Sequence, residues 1–181
     1  MRRLLLLGMI PLVVAAPQPA EAALGGQRAS FERFLKRVPK SQWKIIPDSA
    51  EGGVLYTGRV GSLGTIVRVY YDAGRVTRQK VEVALPADSN DEFALAILTR
   101  FMSEFAGRPT ELKQVMTGMR ALRKTVMASG RRSAEMPYRN ANITLSLGTS
   151  TTEFPDASMD VPWGMLYWKA EATSRRTQEG T

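Results

Sequence analysis

The chain lacks two residue types on which most enzyme active sites and metal centres depend. None of its 181 residues is a histidine or a cysteine. Histidine is the commonest general base and a frequent zinc ligand, and cysteine supplies thiolate nucleophiles and iron–sulfur ligands. Serine–histidine triads, cysteine–histidine pairs and most zinc sites are therefore excluded. Carboxylate, lysine and serine–lysine chemistry remains.

Two short motifs contain residues of these remaining types. Ser41 and Lys44 match the S-x-x-K spacing in which a lysine activates a serine, but the S-D-N and K-T-G motifs of that enzyme class are absent. Glu153, Asp156 and Asp160 supply carboxylates for a glycosidase pair or for calcium, although their spacing matches no calcium-binding loop. We interpret the first motif as part of a loop and the second as a solvated turn. The sequence thus predicts no catalytic residue, no metal site and no cofactor.

Basic side chains provide the best candidate binding site. Lys113, Arg120 and Lys124 recur at helical spacing, so they share one face of a predicted helix. The planar guanidinium group of arginine suits phosphate and carboxylate ligands. The alternative is that these side chains only keep the surface soluble. The predicted binding residues are Lys113, Arg120, Arg123, Lys124, Arg131 and Arg132.

The segment VPWGMLYWKAE, residues 161–171, is rich in aromatic side chains. In an extended strand, Trp163 and Tyr167 point to one face and Trp168 points to the other. Apolar residues on both faces are typical of an interior strand, which we predict here. The alternative is an aromatic ligand surface formed by Trp163, Tyr167 and Trp168.

The N terminus has the pattern of a cleaved export signal. Arg2 and Arg3 precede an apolar run over residues 4–16, and Ala20 and Ala22 stand at the two positions that a signal peptidase reads. The run is too short to span a bilayer, which takes about 20 residues, and no later segment reaches that length. We expect an exported protein, periplasmic or secreted. The predicted organisation is a signal peptide over residues 1–22, a single domain over residues 23–172 and a disordered tail over residues 173–181.

The formal net charge of +8 is unevenly distributed along the chain. Basic residues dominate residues 28–44 and 113–139, whereas acidic residues outnumber basic ones over residues 88–111. This polarity favours an anionic partner such as a lipid headgroup, a wall polymer or an acidic protein surface. Export makes nucleic acid an unexpected partner.

Hydrophobic periodicity predicts the elements that carry these residues. The predicted helices lie within residues 30–38, 89–106 and 110–129. The second helix places Phe93 on its apolar stripe, and the third carries the basic row. The predicted strands are residues 53–60, 65–71, 75–85, 141–147 and 163–171. The segment that begins at Lys40 and the segment after Gly130 are predicted as loops.

The strand over residues 75–85 alternates between apolar and charged residues. Val81 and Val83 point to one face, whereas Lys80 and Glu82 point to the other. One face of the sheet is therefore predicted to be core and the other to meet water. The order α-β-β-β-α-α-β-β predicts an α+β fold with an antiparallel sheet of about five strands and helices packed on one face.

These observations favour an exported, soluble, non-catalytic binding or accessory protein of the cell envelope. Its partner would be an anionic envelope component or protein, held by the basic helix face. One alternative is an inhibitor or immunity-type protein that blocks the cleft of a partner, because small exported α+β domains without disulfides suit that role. The other is a carboxylate-dependent glycan hydrolase built on Glu153, Asp156 and Asp160.

Overall fold

The computed structural model describes residues 20–39, 41–48, 53–85, 91–107, 109–129, 132–139, 141–149 and 166–174. Within these ranges lie three helices, α1 (Arg28–Arg37), α2 (Asp91–Phe105) and α3 (Leu112–Ser129). The strands are β1 (Ser41–Asp48), β2 (Gly53–Val60), β3 (Leu63–Asp72), β4 (Arg75–Ala84), β5 (Ser133–Tyr138), β6 (Ala141–Thr149) and β7 (Leu166–Ser174). None of the helices in the described ranges combines the length and the apolar character needed to cross a membrane.

The strands form one sheet in the order β1-β2-β3-β4-β7-β6-β5, and all neighbours are antiparallel. The first four strands are neighbours in chain order. The chain then passes through α2 and α3, starts again at the opposite edge with β5, and returns inward until β7 pairs with β4. The predicted α+β fold with an antiparallel sheet is confirmed, although the sheet has seven strands and not about five.

The helices pack on one face of this sheet. α2 lies over β4 and β7, α3 lies over β5 and β6, and α1 contacts β1. Directly paired residues on this face form a buried row across five strands, consisting of Tyr56, Val67, Val81, Ala170 and Leu145. Cross-strand contacts of this kind, covered by the helices, form the core.

The two edge strands, β1 and β5, replace segments that the sequence predicts as loops. Each contains a proline, Pro47 in β1 and Pro137 in β5. Proline cannot donate a backbone hydrogen bond, so within sheets it is confined largely to edge strands, where one side of the backbone needs no partner. The same residues that weaken the strand signal in the sequence are therefore compatible with the edge positions that these strands occupy.

The face of the sheet opposite the helices is partly buried, so the prediction that Lys80 and Glu82 meet water is wrong for Glu82. Glu82 is 3 % exposed. Its Oε1 lies 3.0 Å from Lys80 Nζ and 3.9 Å from Lys169 Nζ. A buried carboxylate is costly unless cations compensate its charge, and the two lysines supply that compensation.

β7 is an interior strand, as the aromatic segment predicts, because it lies between β4 and β6. Trp168 is 1 % exposed and shares the helix-facing side with its paired neighbours Val83 and Leu147. It therefore cannot contribute to an aromatic ligand surface. Trp163 lies outside the described residues, and Tyr167 is described only through its backbone pairing on β7.

The ends of the described structure reach beyond the predicted domain limits. Residues 20–22, which the sequence assigns to the signal peptide, are described, and Ala22 is fully buried. At the other end, β7 continues through Thr173 to Ser174, where the sequence predicts a tail. Residues 1–19 and 175–181 lie outside the described residues.

Gly58 lies where β2 has no room for a side chain beside β1. A Cβ atom at Gly58 would lie 2.1 Å from the carbonyl oxygen of Gln42 and 2.9 Å from Cε3 of Trp43. We expect Gly58→Ala to lower the free energy of unfolding by about 2 kcal/mol or more, because β1 must move. Gly148→Ala is the control, since its Cβ would meet only the flexible end of Lys169 at 3.7 Å. Urea unfolding of both variants checks this, and equal losses would contradict it.

A pair of tyrosines, Tyr56 buried and Tyr71 partly buried, predicts a loss of stability in alkali. The hydroxyl oxygens of Tyr56 and Tyr71 lie 3.4 Å apart, and burial raises the pKa of both tyrosines. Their stabilising contribution is complete below the unfolded tyrosine pKa of about 10 and is lost as the pH rises above it. We expect the urea midpoint to fall between about pH 9 and pH 11, and to fall less in Tyr71→Phe. An identical fall in both proteins would contradict the assignment.

Candidate functional site

Two cavities on the outward face of α2 share two lining residues. Phe93, Ala96 and Arg100 lie on this face at helical spacing, and the short side chain of Ala96 leaves a saddle between the other two. The first cavity, of about 360 Å³, lies between α2, the end of α1 and the turn between β2 and β3. The second, of about 540 Å³, lies between α2 and α3. Ala96 and Arg100 line both.

The first cavity, which we call the apolar cavity, has hydrophobic walls. Its described lining consists of Val38, Pro39, Val60, Gly61, Phe93, Ala96, Ile97, Arg100 and Phe101. Phe93 is 48 % exposed, so the prediction that it belongs to the buried stripe of the helix is wrong. Its ring covers Gly61, whose φ of +62° lies in the left-handed region that favours glycine. A Cβ at Gly61 would lie only 3.1 Å from Phe93 Cζ.

The second cavity, which we call the basic cavity, combines cations with apolar side chains and threonines in its lining. Its described lining consists of Ala96, Thr99, Arg100, Leu112, Lys113, Met116, Thr117 and Arg120. Lys113 is exposed and has no ion-pair partner among the described residues. The nearest carboxylate oxygen to Arg100 belongs to Glu104, and at 4.0 Å the contact is at the limit of an ion pair. Lys113 and Arg100 are therefore the cations best placed to receive a ligand.

Two of the predicted binding residues are engaged in holding α3 against α2. Arg123 donates from Nε and Nη2 to the carboxylate of Asp91, at 2.6 and 2.7 Å. Arg120 donates from Nη2 to Glu92 Oε2 at 2.9 Å. Asp91 and Glu92 occupy the first turn of α2, where a negative charge also interacts favourably with the helix dipole. Arg123 is thus a structural residue. The charge of Arg120 is partly compensated by Glu92 and is less available to a ligand.

The remaining predicted binding residues do not join the site. Lys124 and Arg132 are exposed, and neither lines either cavity. Arg131 lies outside the described residues. Arg100 belongs to the site although sequence analysis did not select it. Arg100 lies one helical turn after Ala96, on the side of α2 that bears Phe93. This spacing is the signal in the sequence that could have indicated Arg100.

The S-x-x-K motif cannot activate its serine. Ser41 and Lys44 lie three residues apart on β1, so their side chains leave opposite faces of the strand. The Ser41 hydroxyl donates to the carbonyl oxygen of Val38 at 2.6 Å and accepts from Trp43 Nε1 at 2.9 Å. This hydroxyl therefore links the end of α1 to β1. Both residues lie in a strand and not in the predicted loop.

Carboxylates do not converge in either cavity. Neither cavity has an aspartate or glutamate among its described lining residues. In the described part of the chain, acidic side chains do not gather in groups of three or more that could hold a metal ion. Glu153, Asp156 and Asp160 lie outside the described residues.

One further polar cluster lies away from the cavities and connects α3 to the sheet. Tyr138 donates its hydroxyl hydrogen to Glu111, and Arg139 Nη2 donates to the same carboxylate at 2.7 Å. Burial and the Glu111 carboxylate raise the pKa of Tyr138. These contacts link the residue before α3 to the end of β5, so we assign them to the fold.

Comparison of the chain with protein-family models, with curated proteins and with solved structures gives no match.

The Asp91–Arg123 ion pair predicts that replacing Arg123 lowers stability more than replacing its neighbour Lys124. We expect Arg123→Ala to lower the free energy of unfolding by about 1–2 kcal/mol, because a bidentate, partly buried pair is lost. Lys124→Ala is the matched control and should change it by less than about 0.5 kcal/mol. Thermal or urea unfolding of the two variants measures the difference. A cost as large for Lys124 would show that the pair adds no stability.

Proposed function

We propose that the protein is an exported, soluble binding protein of the cell envelope that holds an anionic amphiphile without catalysing a reaction. Such a ligand has a carboxylate or phosphate headgroup and a hydrocarbon chain. The observation that carries the proposal is that an apolar cavity and a basic cavity share Ala96 and Arg100 in their linings. One molecule lying across Ala96 would place its headgroup among cations and its chain among hydrophobic side chains.

The basic cavity favours an anionic headgroup. Lys113 and Arg100 present positive charge beside the apolar side chains of Leu112 and Met116. Charge interactions strengthen where water is partly excluded, because the local dielectric constant falls. Arginine binds phosphate or carboxylate through two parallel hydrogen bonds, whereas lysine acts as a point charge.

The apolar cavity favours a hydrocarbon chain. Apart from Arg100, its described lining residues are apolar, and Phe93 offers an exposed ring at its rim. Each methylene group transferred from water to such a surface contributes about 0.8 kcal/mol. A large exposed hydrophobic side chain beside a cavity is a common feature of ligand and partner sites.

Export is supported by the sequence alone, through the N-terminal Arg2 and Arg3, the apolar run that follows and the small residues after it. The excess of positive charge suits an anionic envelope component.

A second candidate, an inhibitor or immunity-type protein, is favoured by the exposure of Phe93 beside Arg100 and Arg120. Aromatic and arginine side chains are the residues that most often dominate protein interfaces. The glycan hydrolase hypothesis depends on Glu153, Asp156 and Asp160, which lie outside the described residues, so it stays a prediction.

Calorimetric titration with three probes tests the proposal. We expect dodecyl phosphate, below its micelle concentration, to bind at least about tenfold more tightly than inorganic phosphate or dodecyl maltoside. The comparison with inorganic phosphate measures the contribution of the hydrocarbon chain. The comparison with dodecyl maltoside measures the contribution of the headgroup charge. Binding of dodecyl phosphate should weaken as salt is added, because the headgroup contacts are partly exposed to solvent.

Variants locate the ligand. Lys113→Glu and Ala96→Trp should each weaken dodecyl phosphate binding about tenfold, the first through charge repulsion and the second by filling the saddle. Lys124→Glu is the matched control, since it makes the same charge change on α3 outside both cavities. Equal effects of Lys113→Glu and Lys124→Glu, or equal binding of dodecyl maltoside, would refute the site. A stoichiometric envelope protein that binds through Phe93 and is not displaced by dodecyl phosphate would favour the inhibitor instead.

A further inference from the structure

The N-terminal segment over residues 20–27 is built into the domain. The backbone N–H of Leu24 donates to the carbonyl oxygen of Phe105 at 2.9 Å. Gly25 and Gly26 exchange two backbone hydrogen bonds with Val76, at 2.6 and 2.9 Å. The segment therefore joins the end of α2 to the start of β4, although its first residues belong to the predicted signal peptide.

Ala22 satisfies a buried polar group of the sheet. Gln79 lies on the helix-facing side of β4 and is fully buried. Its Nε2 donates to the carbonyl oxygen of Ala22 at 2.6 Å, and Ala22 is itself fully buried. A buried amide that loses its acceptor is left with an unmet hydrogen bond, which is destabilising. Removal of Ala22 would therefore leave this amide without its acceptor and empty a fully buried position.

Glu21 lies against a buried carboxylate. Its backbone nitrogen is 2.8 Å from Glu104 Oε1, and Glu104 is 3 % exposed. Arg100, the nearest cation to that carboxylate, is 4.0 Å away, at the other oxygen. The Glu21 side chain lies 2.5 Å from Arg37 Nη2. A peptide N–H gives Glu104 a hydrogen bond without net charge, whereas a free α-ammonium group at the same atom would also compensate its charge.

We infer that export processing hydrolyses the bond between Ala20 and Glu21, so that the mature protein begins at Glu21. Water adds across this peptide bond under a signal peptidase; Ala20 becomes the carboxylate end of the leader, and Glu21 gains the α-ammonium group that faces Glu104. Ala20 supplies the small side chain directly before the cut. Gln18 stands where a second small residue is usual, which is why the sequence alone favours a cut after Ala22. A cut after Ala22 would remove the contact of Ala22 with Gln79 and that of Glu21 with Glu104.

The inference rests on the export proposed for this protein, and one experiment separates the two. The full-length chain is expressed with its own leader, and the product from the envelope fraction is analysed by intact mass and N-terminal sequencing. We expect a chain that starts at Glu21. A start at Ala23, or upstream of Glu21, would overturn the inference and leave export standing. A chain that is never cleaved would overturn the inference, and its absence from the envelope fraction would overturn export as well.

Ala22→Leu gives a second, independent readout. A bulky residue directly before the cut blocks a signal peptidase, so this change stops cleavage after Ala22 but not cleavage after Ala20. We expect the variant precursor to be processed as completely as the wild type and as the matched control Ala23→Leu. The readout is taken from denatured total protein, so a folding defect does not affect it. Accumulation of uncleaved Ala22→Leu precursor, with normal processing of Ala23→Leu, would refute the inference.

Discussion

The pairing of β4 with β7 is the interaction on which the rest of the structure depends. It joins the strands before the two long helices to the strands after them, in a continuous register from Arg78↔Thr173 to Ala84↔Tyr167. α2 lies across this junction and contacts both strands. On β7 the helix faces Ala170 and Ala172, whose small side chains are fully buried and allow a close approach. Because the paired residues are far apart in the chain, loop closure opposes the pairing until the helix covers it.

An aromatic cluster links this junction to the edge of the sheet. Phe101 of α2 contacts Phe34 of α1 and Trp43 of β1 edge to face, at centroid distances of 5.4 and 6.1 Å. Such pairs add specific geometry to the burial of large rings. The cluster holds α1 beside α2. Val38 and Pro39, which directly follow α1, form one wall of the apolar cavity. The shape of that cavity is thus a consequence of core packing.

Charge pairing engages several of the basic side chains that the sequence places on and after α3. The acidic first turn of α2 engages Arg120 and Arg123, and the Glu111 carboxylate engages Arg139. At the basic cavity, Lys113 has no ion-pair partner among the described residues, and Arg100 has only the 4.0 Å contact with Glu104. Fewer cations are therefore available at the basic cavity than the count of basic residues on α3 suggests. Hydrophobic side chains beside that cavity extend toward Phe93.

The sequence by itself determined the elements whose pattern is local. Apolar residues at helical spacing predicted all three helices, and alternation with β-branched residues predicted five of the strands. The lack of histidine and cysteine also limited the possible chemistry without any structure. The sequence did not predict the edge strands β1 and β5, because their prolines weaken the local strand signal and their stability comes from pairing with a neighbour.

Only the tertiary structure decided which side chains are buried and which charges are engaged. Glu82 is buried beside a lysine of its own strand and a lysine of β7. Phe93 is half exposed, with its ring over Gly61 in the turn between β2 and β3. Arg123 is paired with a carboxylate 32 positions earlier in the chain. Periodicity within one element carries no information about such a partner, since the contact exists only once the two helices have packed on the same sheet. For the same physical reason, the meeting of Arg100 with Lys113 beside an apolar cavity could not be read from the chain.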